Sequence, residues 1–77
     1  MPPSVVRFAE HAERRYREYG RSREEVIDLV LGGHQARVRN PGSADWLVIG
    51  GGLEIVYNWP ERGDATTALV VTLWPRR

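Results

Sequence analysis

The sequence contains no cysteine and no lysine, and its apolar runs are short. Without cysteine the chain forms no disulfide framework, no Cys-ligated zinc site and no thiol nucleophile, so we expect a protein of the reducing cytoplasm. The longest apolar runs, Trp46 to Ile49 and Ala68 to Val71, are far shorter than the roughly 20 residues that span a bilayer. No apolar signal-peptide segment opens the sequence either, and no membrane partner is expected.

The chain is also too short for more than one domain. Its 77 residues predict a single domain, 1–77, with a thin core. The net charge is only +1, so a phosphate-binding surface has to come from local clusters of basic residues. All eleven basic residues are arginine, which suits bidentate phosphate recognition but is equally explained by codon usage in a GC-rich genome.

Two helices are predicted in the charged front third. The first covers Glu10 to Tyr19 and ends at Gly20. Its apolar stripe, at helical spacing, consists of Phe8, Ala12, Tyr16 and Tyr19. The second begins at a capping box in which Ser22 bonds the Glu25 amide and Glu25 reaches back to the Ser22 amide. Its predicted core face is Val26, Ile27, Val30 and Leu31, and Gly32-Gly33 is predicted as a left-handed stop.

The rest of the chain predicts four strands separated by turn-forming stretches. The strands are His34 to Arg39, Trp46 to Ile49, Leu53 to Trp59 and Thr67 to Trp74, with turns at 40–43, 50–52 and 60–64. Short connections favour an antiparallel meander with both helices on one face, an α+β fold. Ser4 to Phe8 is predicted as an extra edge strand or an extended lead-in.

Strand alternation assigns the two faces of the last strand. Leu69, Val71 and Leu73 are predicted to meet the helices, which leaves Thr72 on a concave face beside Trp and Tyr rings and open to a ligand.

The aromatic residues allow two interpretations. Trp46, Tyr57, Trp59 and Trp74 could form a base-stacking platform for RNA, but a domain this small has to bury its large rings, so packing is favoured. The run Gly50 to Gly52 lacks the lysine and following helix of a phosphate cradle and predicts a hairpin turn. No metal-ligand spacing is present, and no metal or other cofactor is predicted.

Three motifs in fixed order carry a family resemblance. They are Phe8-Ala9-Glu10-His11-Ala12-Glu13-Arg14-Arg15, then Gly20 with Ser22 to Val26, and finally Val70-Val71-Thr72-Leu73-Trp74-Pro75. Over nearly its whole length the chain resembles domain-of-unknown-function family 4258, whose members show F-x-x-H-A-x-x-x-R, G-x-S-x-E-E-V and V-x-T-x-Y/W.

The resemblance implies a fold like the metal-independent ribonucleases of the barnase, EndoU and RelE-like group, with BrnT-like toxins as near relatives. It further implies RNA as the substrate, an antitoxin as a protein partner, and active-site positions at His11, Arg15 and Thr72. Two features depart from the pattern. Tyr19 stands where many members have a further arginine, and the net charge is lower than that of RelE-like toxins.

The chemistry of metal-free RNA cleavage fits the first two of these residues. His11 and Arg15 lie four apart, on one face of a helix, where both can reach one phosphate. The guanidinium disfavours the charged imidazole, so His11 is the candidate base, while Arg15 and Thr72 bind phosphoryl oxygens. A general acid is not obvious; Tyr57 and His34 are the candidates.

Structural roles compete with this hypothesis. Ion pairs at i, i+4 would join Glu10 to Arg14 and Glu13 to Arg17 on a solvated helix face, and Glu18 and Tyr19 are placed to fix Arg15. The alternative function is a non-catalytic module on the same fold that binds a protein partner through its exposed aromatic face.

Overall fold

The computed structural model describes residues 2–42 and 44–76, so Ser43 of the predicted 40–43 turn lies outside the described residues. The strands are β1 (Val5–Phe8), β2 (Val38–Arg39), β3 (Trp46–Gly50), β4 (Leu53–Asn58) and β5 (Thr67–Pro75). The helices are α1 (Glu10–Glu18) and α2 (Arg23–Gly33), followed by a short 3₁₀ helix (His34–Ala36). Neither of these helices has the length and apolar character needed to cross a membrane.

One mixed sheet, in the order β1-β5-β4-β3-β2, forms the centre of the described fold. The predicted antiparallel meander is confirmed for β2 to β5. The sheet has five strands, because β1 pairs in parallel with β5 from Val5 opposite Thr67 to Phe8 opposite Val70. A parallel pair of this kind joins the two ends of the chain, whereas turn signals describe only neighbouring segments.

The predicted boundary between the helices is confirmed. Gly20 has a φ of 71°, and the Arg21 amide donates to the Tyr16 carbonyl at 2.8 Å, the pattern of a Schellman stop. At the start of α2 the Ser22 hydroxyl accepts from the Glu25 amide at 3.1 Å. Only this half of the capping box forms, because the Glu25 carboxylate pairs with Arg21 instead.

The predicted stop at Gly32-Gly33 and the strand from His34 are wrong. Neither glycine is left-handed, and α2 runs on through Gly33 into the 3₁₀ helix, so only Val38–Arg39 pairs as a strand. A Cβ on Gly33 would lie 2.5 Å from Cγ1 of Val48. The missing side chain at Gly33 therefore lets α2 approach β3 closely; it does not end the helix.

The turn predicted between the middle strands is confirmed. Gly50 pairs with Leu53, and the two residues between them, Gly51 and Gly52, have φ angles of 59° and 79°. Two consecutive positive φ angles are characteristic of a type I′ hairpin turn, which glycine adopts without steric cost.

The core lies between the two helices and one face of the sheet. Its buried members are Val6, Ala12, Tyr16, Val26, Val30, Val48, Leu53, Ile55, Tyr57, Ala68, Val70 and Leu73. Phe8, Tyr19, Trp46 and Trp59 pack against this cluster. In α2 the prediction for Leu31 is wrong: it is 36% exposed, while Leu29 packs against the core.

A β-bulge divides β5 into a part whose faces are predicted correctly and a part whose faces are not. Tyr57 pairs with Val70 while the adjacent Val56 pairs with Thr72, so Val71 has no partner in the ladder. After the bulge the prediction is confirmed, because Leu73 joins the core and Thr72 does not. Before the bulge it is wrong: the extra residue changes the alternation, so Ala68 and Val70 join the core and Leu69 lies on the opposite side of the sheet. We call this side, which carries Arg7, Val56 and Thr72, the open face.

Candidate functional site

His11 and Arg15 come together on the outer surface of α1, as their spacing predicts. The Arg15 Nε donates to the His11 Nε2 at 3.2 Å. A shallow depression of about 270 Å³ is lined by His11, Arg14, Arg15 and Glu18, and we call it the helix depression. These positions are i, i+3, i+4 and i+7, which an α-helix places on one face. His11 is exposed and Arg15 half-buried, so a phosphate can reach both.

Arg15 is fixed by its neighbours on the helix, as the competing structural role requires. Its Nη1 donates to the Tyr19 hydroxyl at 3.2 Å and lies 3.8 Å from the Glu18 carboxylate. Tyr19 thus orients the arginine one turn earlier, and Glu18 balances part of its charge.

The two i, i+4 ion pairs expected along α1, Glu10 with Arg14 and Glu13 with Arg17, are absent from the described part of the chain. Glu13 accepts from Arg23 of α2 at 3.4 Å instead of pairing with Arg17. Arg14 has neither a side-chain hydrogen bond nor an ion pair within residues 2–42 and 44–76. It lines the helix depression and adds a second guanidinium beside His11.

The hydrogen bond between Arg15 and His11 determines which imidazole nitrogen faces the guanidinium group. Arginine can only donate, so Nε2 of His11 is the acceptor in this contact. An imidazole nitrogen that accepts from arginine can also accept a proton from a substrate, and Arg14 and Arg15 can stabilise an anion at the same place.

Thr72 does not line the helix depression. The Ala9 amide donates to the Val70 carbonyl at 2.9 Å, which anchors the start of α1 beside β5 where the pairing with β1 ends. Thr72 follows two residues later and lies on the open face opposite Val56. None of the described side-chain hydrogen bonds involves it. The structure therefore brings His11 and Arg15 together without joining Thr72 to them.

The two candidates for the general acid, His34 and Tyr57, are buried beside each other. The His34 Nδ1 lies 2.7 Å from the Tyr57 hydroxyl, and the residues are 3% and 0% exposed. Burial, with a smaller contribution from Arg37, lowers the pKa of His34. Burial raises the pKa of Tyr57 to about 12, although Arg37 opposes this. Neither side chain can reach a substrate on α1.

The aromatic residues around this pair are packed, as the sequence favours. The guanidinium carbon of Arg37 lies 4.2 Å from the ring centre of Trp46 and 4.9 Å from that of Trp59. Arg37 also donates to the His34 carbonyl at 2.9 Å. Cation–π contacts of this kind cover the ring faces that a base would need. Trp74 is separate, on the open face, and donates to Glu54 at 3.1 Å.

A second depression lies at the junction of β1, β5 and the loop between β4 and β5. It has a volume of about 150 Å³ and is lined by Arg7, Glu61, Arg62 and Leu69; we call it the sheet depression. Sequence reasoning missed it, since it joins residues from positions 7 and 62. The only local signal is Arg62-Gly63, a turn dipeptide with an exposed arginine.

Known proteins give no further guide to function: no family model, no curated protein and no solved structure matches the chain. Among the described residues, no three His, Asp or Glu side chains are grouped to hold a metal ion.

Proposed function

We propose that this protein binds RNA at the helix depression and cleaves it as a metal-independent endoribonuclease. The observation that carries the proposal is the hydrogen bond from Arg15 to His11, which places an imidazole nitrogen beside two guanidinium groups at an exposed position. The motifs shared with family 4258 support it, since the resemblance suggests a toxin of RelE-like type with His11 and Arg15 as active-site residues.

The proposed reaction follows from what these side chains can do. Arg15 turns from the imidazole to a phosphate oxygen, and Arg14 binds the same phosphate, which frees the His11 Nε2. This nitrogen takes the proton of the 2′-hydroxyl while the 2′-oxygen bonds to phosphorus. The bond from phosphorus to the 5′-oxygen breaks, and the leaving oxygen takes a proton from solvent. The products are a 2′,3′-cyclic phosphate and a 5′-hydroxyl end.

Three of the predicted site residues lie outside the helix depression. Thr72 is assigned to RNA that reaches the open face, as a hydroxyl donor to the backbone. Tyr57 and His34 are left out as acids because both are buried. A toxin of this kind would act in the cytoplasm and be neutralised by an antitoxin.

The test is cleavage of an end-labelled, mixed-sequence RNA at low salt in EDTA. We expect the wild-type protein to cut and His11→Ala to lose the cuts, because the base is gone. Arg15→Ala should slow cleavage strongly, whereas Arg17→Ala, which removes an equal charge from the same helix, should change it little. Intact RNA with folded wild-type protein, or undiminished cutting by His11→Ala, would contradict the proposal.

A second candidate, a protein-interaction module, is favoured by the open face. Large apolar side chains remain exposed there: Val5 48%, Val38 49%, Ile49 45% and Trp74 38%. A two-layer α/β domain leaves one sheet face without a covering layer, and exposed apolar residues on it are typical of an interface.

To test this candidate, a partner is identified by mass spectrometry and purified. Its binding to the wild-type protein is then compared with its binding to Ile49→Ser. Loss of binding in the variant, together with intact RNA in the cleavage assay, would favour the module. Equal binding by both proteins would contradict an interface on the open face.

A further inference from the structure

The sheet depression contains two arginines that no other part of the described structure neutralises. Within residues 2–42 and 44–76, neither Arg7 nor Arg62 takes part in a side-chain hydrogen bond, an ion pair or a cation–π contact, and both are exposed. Glu61 carries the opposing charge but does not pair with either of them. Two unpaired guanidinium groups beside Leu69 give a surface that can take an anion.

The loop that presents Arg62 is firmly held. Arg62 and Gly63 have φ angles of 50° and 81°, and the flanking Glu61 and Asp64 exchange backbone hydrogen bonds at 3.2 and 2.9 Å. Asp64 accepts from the amide and hydroxyl of Thr66 at 2.9 and 2.6 Å. Trp59 adds a bond from its Nε1 to the Ala65 carbonyl at 2.8 Å. The loop backbone therefore does not have to become ordered when Arg62 binds a ligand.

The position of Arg7 connects this surface to the proposed active site. Arg7 lies on the open face of β1, and four residues later the chain has entered α1 and reached His11. Four residues of chain span at most about 14 Å, which is the upper limit on the distance between the Cα atoms of Arg7 and His11. A flexible single strand of several nucleotides can cover that distance.

We propose that Arg7 and Arg62 bind a second phosphate, farther along the RNA strand that His11 and Arg15 engage. The inference rests on the RNA-binding part of the proposed function. Each depression contains two arginines and one glutamate. Although the chain is nearly neutral, it therefore has two local cationic clusters, which one RNA strand would contact in turn. Arg7 and Arg62 position the substrate, and Glu61 limits the affinity because its carboxylate repels the phosphate.

Glu61 and the two arginines should have opposite effects on RNA affinity. Its Oε2 is buried without a hydrogen-bond partner, and glutamine is isosteric with glutamate. Glu61→Gln should therefore keep the fold and raise RNA affinity, while Arg7→Gln with Arg62→Gln should lower it. A purely structural role for these side chains predicts no such opposite changes.

The experiment measures binding of a fluorescent 2′-O-methyl RNA, which cannot be cleaved, by anisotropy over a range of salt concentrations. The double variant R7Q/R62Q should bind roughly threefold to tenfold more weakly than the wild type. Its plot of log affinity against log salt should be shallower by about 0.7, the value for one phosphate contact on a single strand. The control R17Q/R76Q removes the same charge elsewhere and should cause a smaller loss.

Several outcomes would overturn the inference. Equal losses of affinity in R7Q/R62Q and in the control would show a general charge effect. Unchanged RNA affinity in Glu61→Gln would contradict the proposed phosphate site, because removing the carboxylate should strengthen binding there. Binding of poly-glutamate that depends on Arg7 and Arg62, without RNA binding, would assign the depression to an acidic protein segment. RNA binding that follows the expected pattern without cleavage of ordinary RNA would contradict the ribonuclease proposal alone.

Discussion

Replacing Tyr57 by Phe deletes one hydroxyl from the core and leaves the His34 Nδ1 without the partner that lies 2.7 Å away. Both side chains are almost fully buried, so water cannot take the place of the hydroxyl without rearrangement. A buried polar atom left without its hydrogen bond costs about 1–3 kcal/mol. A domain of this size is stable by about 4–12 kcal/mol in total, so the loss is a large share of its stability.

Urea unfolding followed by circular dichroism at pH 7.5 measures this cost. Tyr16→Phe is the matched control, because Tyr16 is 4% exposed and its hydroxyl has no described side-chain hydrogen bond. We expect Tyr57→Phe to lose about 1–3 kcal/mol and Tyr16→Phe to lose less. Equal losses in the two variants would refute the role given to the bond between His34 and Tyr57.

Three further predictions concern stability. The pKa of His34 is lowered from 6.5, so below pH 6.5 the unfolded chain binds a proton at this histidine more readily than the folded chain does. The free energy of unfolding should therefore fall from pH 6.5 towards pH 5. An equally steep fall in His34→Gln would contradict this. Gly33→Ala should destabilise by about 1–3 kcal/mol in urea unfolding, since its Cβ would meet Val48, whereas Gly32→Ala, with nothing within 4 Å, should be neutral or stabilising. His11→Ala should change the free energy of unfolding by less than about 1 kcal/mol, because His11 is exposed. A larger loss in the same unfolding assay would show that His11 has a structural role.

The elements that the sequence predicts correctly depend on local signals. The α1 stripe of Ala12 and Tyr16, the Gly20 stop and the Gly51-Gly52 turn each follow from neighbouring residues. The antiparallel meander follows from short connections. The His11–Arg15 contact belongs to the same group, because spacing of four residues on a helix fixes it.

The features that the sequence does not predict depend on tertiary contacts. The parallel pairing of β1 with β5 joins segments about sixty residues apart. The bulge at Val71 changes the alternation of β5 without any glycine or proline to mark it. Burial of His34 beside Tyr57 follows from the continuation of α2 through Gly33, where the missing side chain leaves room for Val48 of β3.

The central claim, that His11 takes the proton of a 2′-hydroxyl, is tested most directly with two RNAs of the same sequence, one all-ribose and one with a single 2′-deoxy residue. The wild-type protein in EDTA should cut the all-ribose strand to 2′,3′-cyclic phosphate ends and should leave the bond after the deoxy residue of the second strand intact. His11→Ala should cut neither strand. Cutting after the deoxy residue, or cyclic-phosphate ends formed by His11→Ala, would contradict the assignment of His11 as the base.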